Sequence, residues 1–135
     1  MPVNYEYLIN KQGVLIRAYG IVAGMDLVKN MENIFKDTNS TRNYIYGICD
    51  FSNIEKFNIS HDEIFALSII HIRASKVNPQ IVAGFAINKS IVYGLVRIWM
   101  VYAETTGWKL NIKKDLPSIQ KWTEETLESL SLPDQ

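Results

Sequence analysis

The chain holds one cysteine, Cys49, two histidines, His61 and His71, and no net charge, with fourteen Lys+Arg set against fourteen Asp+Glu. A single thiol excludes an internal disulfide framework and a multi-cysteine zinc site, and two histidines leave few ligands for any other metal. Electroneutrality argues against a general grip on nucleic acid or an anionic membrane. Basic residues are not interleaved with aromatics on any one element, so an RNA-binding sheet has no support either. The seven glycines are scattered, without a Gly-x-Gly-x-x-Gly run or a phosphate-binding loop, and no cofactor is implied. Met1–Lys11 is polar and alternating, unlike a secretory leader, and no apolar run has the length of a membrane span. What is present is 47% apolar and 21% charged residues over 135 positions. That is the balance and size of one globular domain, 1–135, in a reducing, cytoplasmic setting.

Hydrophobic spacing divides the chain into strands and helices. Val3, Tyr5, Tyr7 and Ile9 share one side of an alternating run, the mark of a half-buried strand. Asn10-Lys11-Gln12-Gly13 is turn chemistry and Val14–Tyr19 resumes as a second strand, so the two form a hairpin. From Met25 the period is helical through Leu27, Val28, Met31, Ile34 and Phe35, and Asp37–Arg42 reads as a polar loop. Tyr44–Cys49 suits a central strand buried on both faces. Ser60-His61-Asp62-Glu63 spells a capping box for a helix through Ile64, Leu67, Ile70 and His71, which Asn78-Pro79 stops. Ile81–Ile87 is a further buried strand, and Asn88-Lys89-Ser90 offers caps for a helix over Ile91–Thr105, ended by Gly107. Trp108–Ile112 reads as the last strand and Leu116–Leu130 as an amphipathic helix with Ile119, Trp122 and Leu127 inward. The order β-β-α-β-α-β-α-β-α predicts an α/β fold. Its sheet is mostly parallel with right-handed crossovers, an N-terminal hairpin at one edge and helices mainly on one face.

The stretch Tyr46-Gly47-Ile48-Cys49-Asp50-Phe51-Ser52-Asn53-Ile54 resembles the strand and following turn of STAS domains. Ile81-Val82-Ala83 and Gly94-Leu95-Val96-Arg97 extend the likeness to SpoIIAA-like proteins, small bacterial members of the STAS and CRAL-TRIO relatives. The resemblance runs over nearly the whole chain and implies a STAS-like sheet, frequent self-association and no catalytic role. In signalling STAS domains an Asp-Ser-Ser-Gly motif opens the next helix, and its second serine accepts phosphate. Here the same stretch reads Asn58-Ile59-Ser60-His61, which keeps the serine and loses both the acidic residue and the glycine.

Ser60 therefore has two readings, a phosphate acceptor or a helix cap, and Glu63 three residues on favours the cap, worth about 1 kcal/mol. Asp50, Ser60 and either histidine could be imagined as a hydrolytic triad, but nucleophile elbow and glycine-rich oxyanion loop are both missing, and no catalytic residue is assigned. Cys49, inside a buried strand and beside Asp50, reads as an inert thiol. In a parallel sheet the loops after Asp50 and Ile87 leave at the same edge. They would bring Asn58, Ser60, Asn88 and Ser90 to two helix starts, where a polar ligand or phosphate could sit.

The Ile91–Thr105 helix is apolar nearly all round, which asks for burial on more than one side. Tyr93, Arg97, Trp99, Met100 and Tyr102 are its candidate interface residues, with Arg97 the one charge in the apolar stretch. Three occupants fit its second side: the rest of the subunit, a homodimer partner, or an apolar ligand. The reading adopted is a non-enzymatic cytoplasmic interaction or regulatory protein that self-associates as a homodimer. Its rival is a binding module for a small apolar or lipid-like ligand held between this helix and the sheet. The first needs an exposed apolar face, the second an enclosed apolar pocket, and an enzyme would need a titratable cluster in a cleft.

Overall fold

The computed structural model describes residues 2–131, so Met1 and residues 132–135 of the expected domain lie outside the described residues. Turn chemistry and alternation build β1 (Val3–Leu8) and β2 (Gly13–Ala23) as an antiparallel hairpin, in which Val3, Tyr5 and Tyr7 face Ala18, Ile16 and Val14. Then follow α1 (Gly24–Phe35), α2 (Thr38–Asn43), β3 (Tyr46–Asn58), α3 (His61–Val77) and β4 (Val82–Ala86). The chain continues through α4 (Ser90–Ala103), a 3₁₀ turn at Glu104–Thr106, β5 (Lys109–Lys113) and α5 (Leu116–Ser131). The strands lie in chain order, β1-β2-β3-β4-β5, and β2 to β5 are parallel. Because successive crossovers step one way along the sheet, α1, α3 and α4 share its front face. The last helix, α5, covers the back.

Four expectations are corrected. Asp37–Arg42 is no loop: Asp37 accepts from the Asn39 amide at 3.3 Å and the Ser40 hydroxyl at 2.7 Å, and this cap nucleates α2. Strand β3 starts at Tyr46 rather than Tyr44 and extends well past Cys49. Beyond Asp50, where the β4 ladder ends, β3 continues on β2 from Asn53 to Asn58, and two register shifts in this ladder let Phe51, Ile54 and Phe57, three residues apart, all join the front core. Ile9 belongs to the turn and not to the strand's inner side: it is 67% exposed, and Ile9, Asn10 and Lys11 take left-handed φ of 49°, 55° and 66°. Finally, Lys89 occupies the cap position of α4 and no side chain caps this helix, so Asn88 and Ser90 do not play that part.

Two cores result. At the front, Val14, Ile16, Phe51 and Phe85 of the sheet pack beneath Leu27, Met31, Leu67 and Trp99. At the back, Leu15, Ile48, Val82 and Ala86 meet Ile119 of α5. There α5 comes so close to β4 that a Cβ on Gly84 would stand 2.5 Å from Ile119 Cγ1.

Candidate functional site

The first candidate was the pair of helix starts. Asn58, Ser60, Asn88 and Ser90 are all exposed. Ser60 completes its capping box: its hydroxyl accepts from the Glu63 amide at 3.1 Å, and Glu63 accepts from the Ser60 amide at 2.8 Å. The neighbouring His61 Nε2 pairs with Tyr102 Oη at 2.9 Å, so the start of α3 docks on the far end of α4. The start of α4 leans elsewhere, Lys89 Nζ donating to the Glu55 carbonyl at 3.5 Å. Among the described hydrogen bonds none joins Asn58 or Ser60 to Asn88 or Ser90. The members of the imagined triad likewise take other hydrogen-bond partners. Asp50 accepts from the Ser52 hydroxyl at 2.6 Å, and His71 Nε2 pairs with Thr106 Oγ1 at 3.3 Å.

Helix α4 has two faces, and they differ from the expected pair. Val92, Val96, Trp99, Met100 and Ala103 point into the front core. Trp99 meets Phe85 edge-on at 5.1 Å and Met100 is 9% exposed, so neither is available to a second subunit. Tyr93, Arg97 and Tyr102 are exposed. With them lie Ile91, Ile98 and Val101, which no expectation singled out, and Phe65 of α3 in edge contact with Tyr102 at 5.6 Å. Arg97 needs no buried partner because it stands in solvent. Gly94 belongs to this outward side, and nothing lies within 4 Å of where its Cβ would be.

Between the sheet and helices α1, α3 and α4 lies an apolar cavity of about 40 Å³. Its floor crosses the sheet at Gly47 and Ala83, which are paired in register, with Val14 on one side. His71, Trp99 and Trp108 line it from above, the first tilted by 31° against Trp108 with ring centroids 4.2 Å apart. Burial depresses the His71 pKa to about 4, so its ring is neutral at pH 7. Burial, reinforced by Asp50, pushes the Cys49 thiol up, which keeps it protonated and unreactive. Trp99 Nε1 is a fully buried donor without an acceptor among the described residues. The sequence reading missed Gly47, Ala83 and Gly94, although a glycine in mid-strand or mid-helix is itself a signal of close approach or of space.

Fold and site together define an α/β protein with a mixed five-stranded sheet, an apolar void inside it and an apolar helix face turned outward. No known protein family and no curated protein matches the chain. Among the described residues, no helix is long and apolar enough to cross a membrane, and no group of three His, Cys, Asp or Glu could hold a metal ion.

Proposed function

We propose that the protein is a STAS-like, non-enzymatic cytoplasmic interaction module that pairs with a second copy of itself through the outward face of α4. The observation that carries this is the exposure of Ile91 at 70%, Val101 at 55%, Ile98 at 40% and Tyr102 at 39% along one helix. Contiguous apolar surface of this kind marks an interaction site on a folded protein. Gly94 adds weight. A glycine in mid-helix costs about 1 kcal/mol against alanine, and nothing inside the subunit requires it. Its bare backbone lets a second helix approach closely, and zero net charge leaves no long-range repulsion between identical subunits.

The sequential sheet, the crossover helices on one face and the edge hairpin support the STAS-like reading. The engagement of Ser60 with Glu63 supports a role other than a phosphoswitch. Sedimentation equilibrium at micromolar concentration tests the proposal. The unmodified chain should run as a dimer, and Ile98→Glu, at an exposed position, should run as a monomer with unchanged helical circular dichroism. A monomeric unmodified chain overturns it.

A further inference from the structure

We infer that the two copies pair antiparallel across a two-fold axis, with Arg97 of each subunit set against Glu104 of the partner subunit. This rests on the self-association proposed above and assigns its geometry and the charges that make it selective.

The outward side of α4 is a narrow seam with two unlike flanks. Ile91, Gly94, Ile98, Val101 and, in the 3₁₀ turn, Thr105 are all exposed and recur at alternating steps of three and four residues. That is the spacing by which one helix packs along another. At about 3.6 residues per turn, Arg97 and Glu104 fall on one flank of this seam, two turns and about 10 Å apart along the axis. Leu95 and Tyr102 fall on the other, where Tyr102 meets Phe65 of α3. One flank is therefore charged, positive and then negative, and the other is apolar and aromatic.

Neither charge is used inside the subunit. Both stand in solvent, and the one ion pair among the described residues joins Arg17 to Glu6. No charged residue lies three or four positions from Arg97 or Glu104, so the helix itself supports neither. A two-fold axis sets one patch against its own copy, so that residue i meets residue j and j meets i. Antiparallel helices lay each flank on the same flank reversed, which brings positive onto negative twice. The same register puts Ile98 against Val101 of the partner subunit and Gly94 against Thr105 of the partner subunit. Leu95 then meets Tyr102 of the partner subunit on the apolar flank. Parallel helices would lay the charged flank on the apolar one and leave both charge pairs unmade. Exposed pairs of this kind add little affinity, but like charges in their place repel, so they decide which chains pair.

Charge reversal tests this pairing by sedimentation equilibrium and native mass spectrometry. Arg97→Glu and Glu104→Arg, both at exposed positions, should each self-associate about tenfold more weakly than the unmodified chain, with unchanged helical circular dichroism. Mixed in equal amounts, the two should form a heterodimer in preference to either homodimer, because every facing pair is then opposite in sign. The double variant Arg97→Glu/Glu104→Arg should dimerise like the unmodified chain. In about 1 M salt, where charges act over roughly 3 Å, these differences should largely vanish. If the unmodified chain is a dimer but the single reversals dimerise equally well, or do not pair with each other, this geometry is overturned and self-association stands. A monomeric unmodified chain overturns both.

Discussion

Gly47 and Gly84 lie one strand apart and one residue out of register, on opposite faces of the sheet, and they are glycines for opposite reasons. On the back, Ile119 Cγ1 occupies the place a Gly84 side chain would take, so the residue is small because α5 is close. On the front, the position over Gly47 is vacant and the residue above it is missing rather than excluded. The back face is thus packed to contact by a single helix, whereas the front, roofed by three helices, spans a void. Two neighbouring glycines of the same strand type therefore report tight packing in one case and reserved space in the other. Geometry separates them where residue identity cannot.

The contrast can be broken most severely at the back. Gly84→Val should drive α5 off β4 and cost about 3 kcal/mol, the upper range for overpacking, with Tm falling by about 10 °C. Adding Ile119→Ala should recover part of the loss by thermal denaturation; equal Tm values for Gly84→Val and the unmodified chain would remove the close-packed account of this face.

Acid should discriminate the faces next, since the front core holds a buried histidine. His71 takes up its proton near pH 6.5 in the unfolded chain and near 4 in the fold, so its contribution is complete above about 6.5 and lost progressively as pH falls to about 4. At about 1.4 kcal/mol per pH unit the loss comes to about 2–3 kcal/mol. Hydrogen bonds from Ser40 and Ser118 hold Asp37 and Asp115 below the ordinary carboxylate range, outside this window. Urea midpoints measured across that pH range should slope for the unmodified chain and flatten for His71→Phe, which keeps a ring against Trp108. A slope that survives in His71→Phe assigns the effect elsewhere.

The smallest effect sharpens the comparison by its sign. Gly47→Ala, in a strand conformation with open space ahead of it, should stabilise the protein by about 0.5–1 kcal/mol, read as a higher urea midpoint. Destabilisation would mean that the vacancy over Gly47 is not there in solution.

Much of the architecture is legible before folding is considered. The capping box at Ser60 opens α3, Asn78 closes it, and Gly107 takes the left-handed φ of 85° that ends the turn after α4. These are local events, decided by hydrogen bonds within a few residues. The extension of β3 to Asn58 was not legible, because Asn53 and Lys56 are poor strand residues that persist there by pairing with β2. Nor was α2, whose polar residues Thr38–Asn43 carry no apolar period and depend on Asp37 as cap. Of the candidate sites, the apolar excess of α4 was evident, but Trp99 and Met100 were assigned to an interface and lie in the core.

That last difference marks the boundary between what the chain specifies locally and what packing decides. Composition and periodicity settled that this is an α/β protein with a hairpin, crossover helices and no framework of disulfides, since those follow from spacing, turn chemistry and residue supply. A helix apolar on every side announces two buried faces without saying which is inward, because a period of 3.6 carries no reference direction. The sheet supplies that direction. Only its register sets Gly47 beside Ala83 beneath His71 and Trp99, residues as far as 52 positions apart in the chain. A void is the volume that such distant side chains leave unfilled, and no local pattern encodes it.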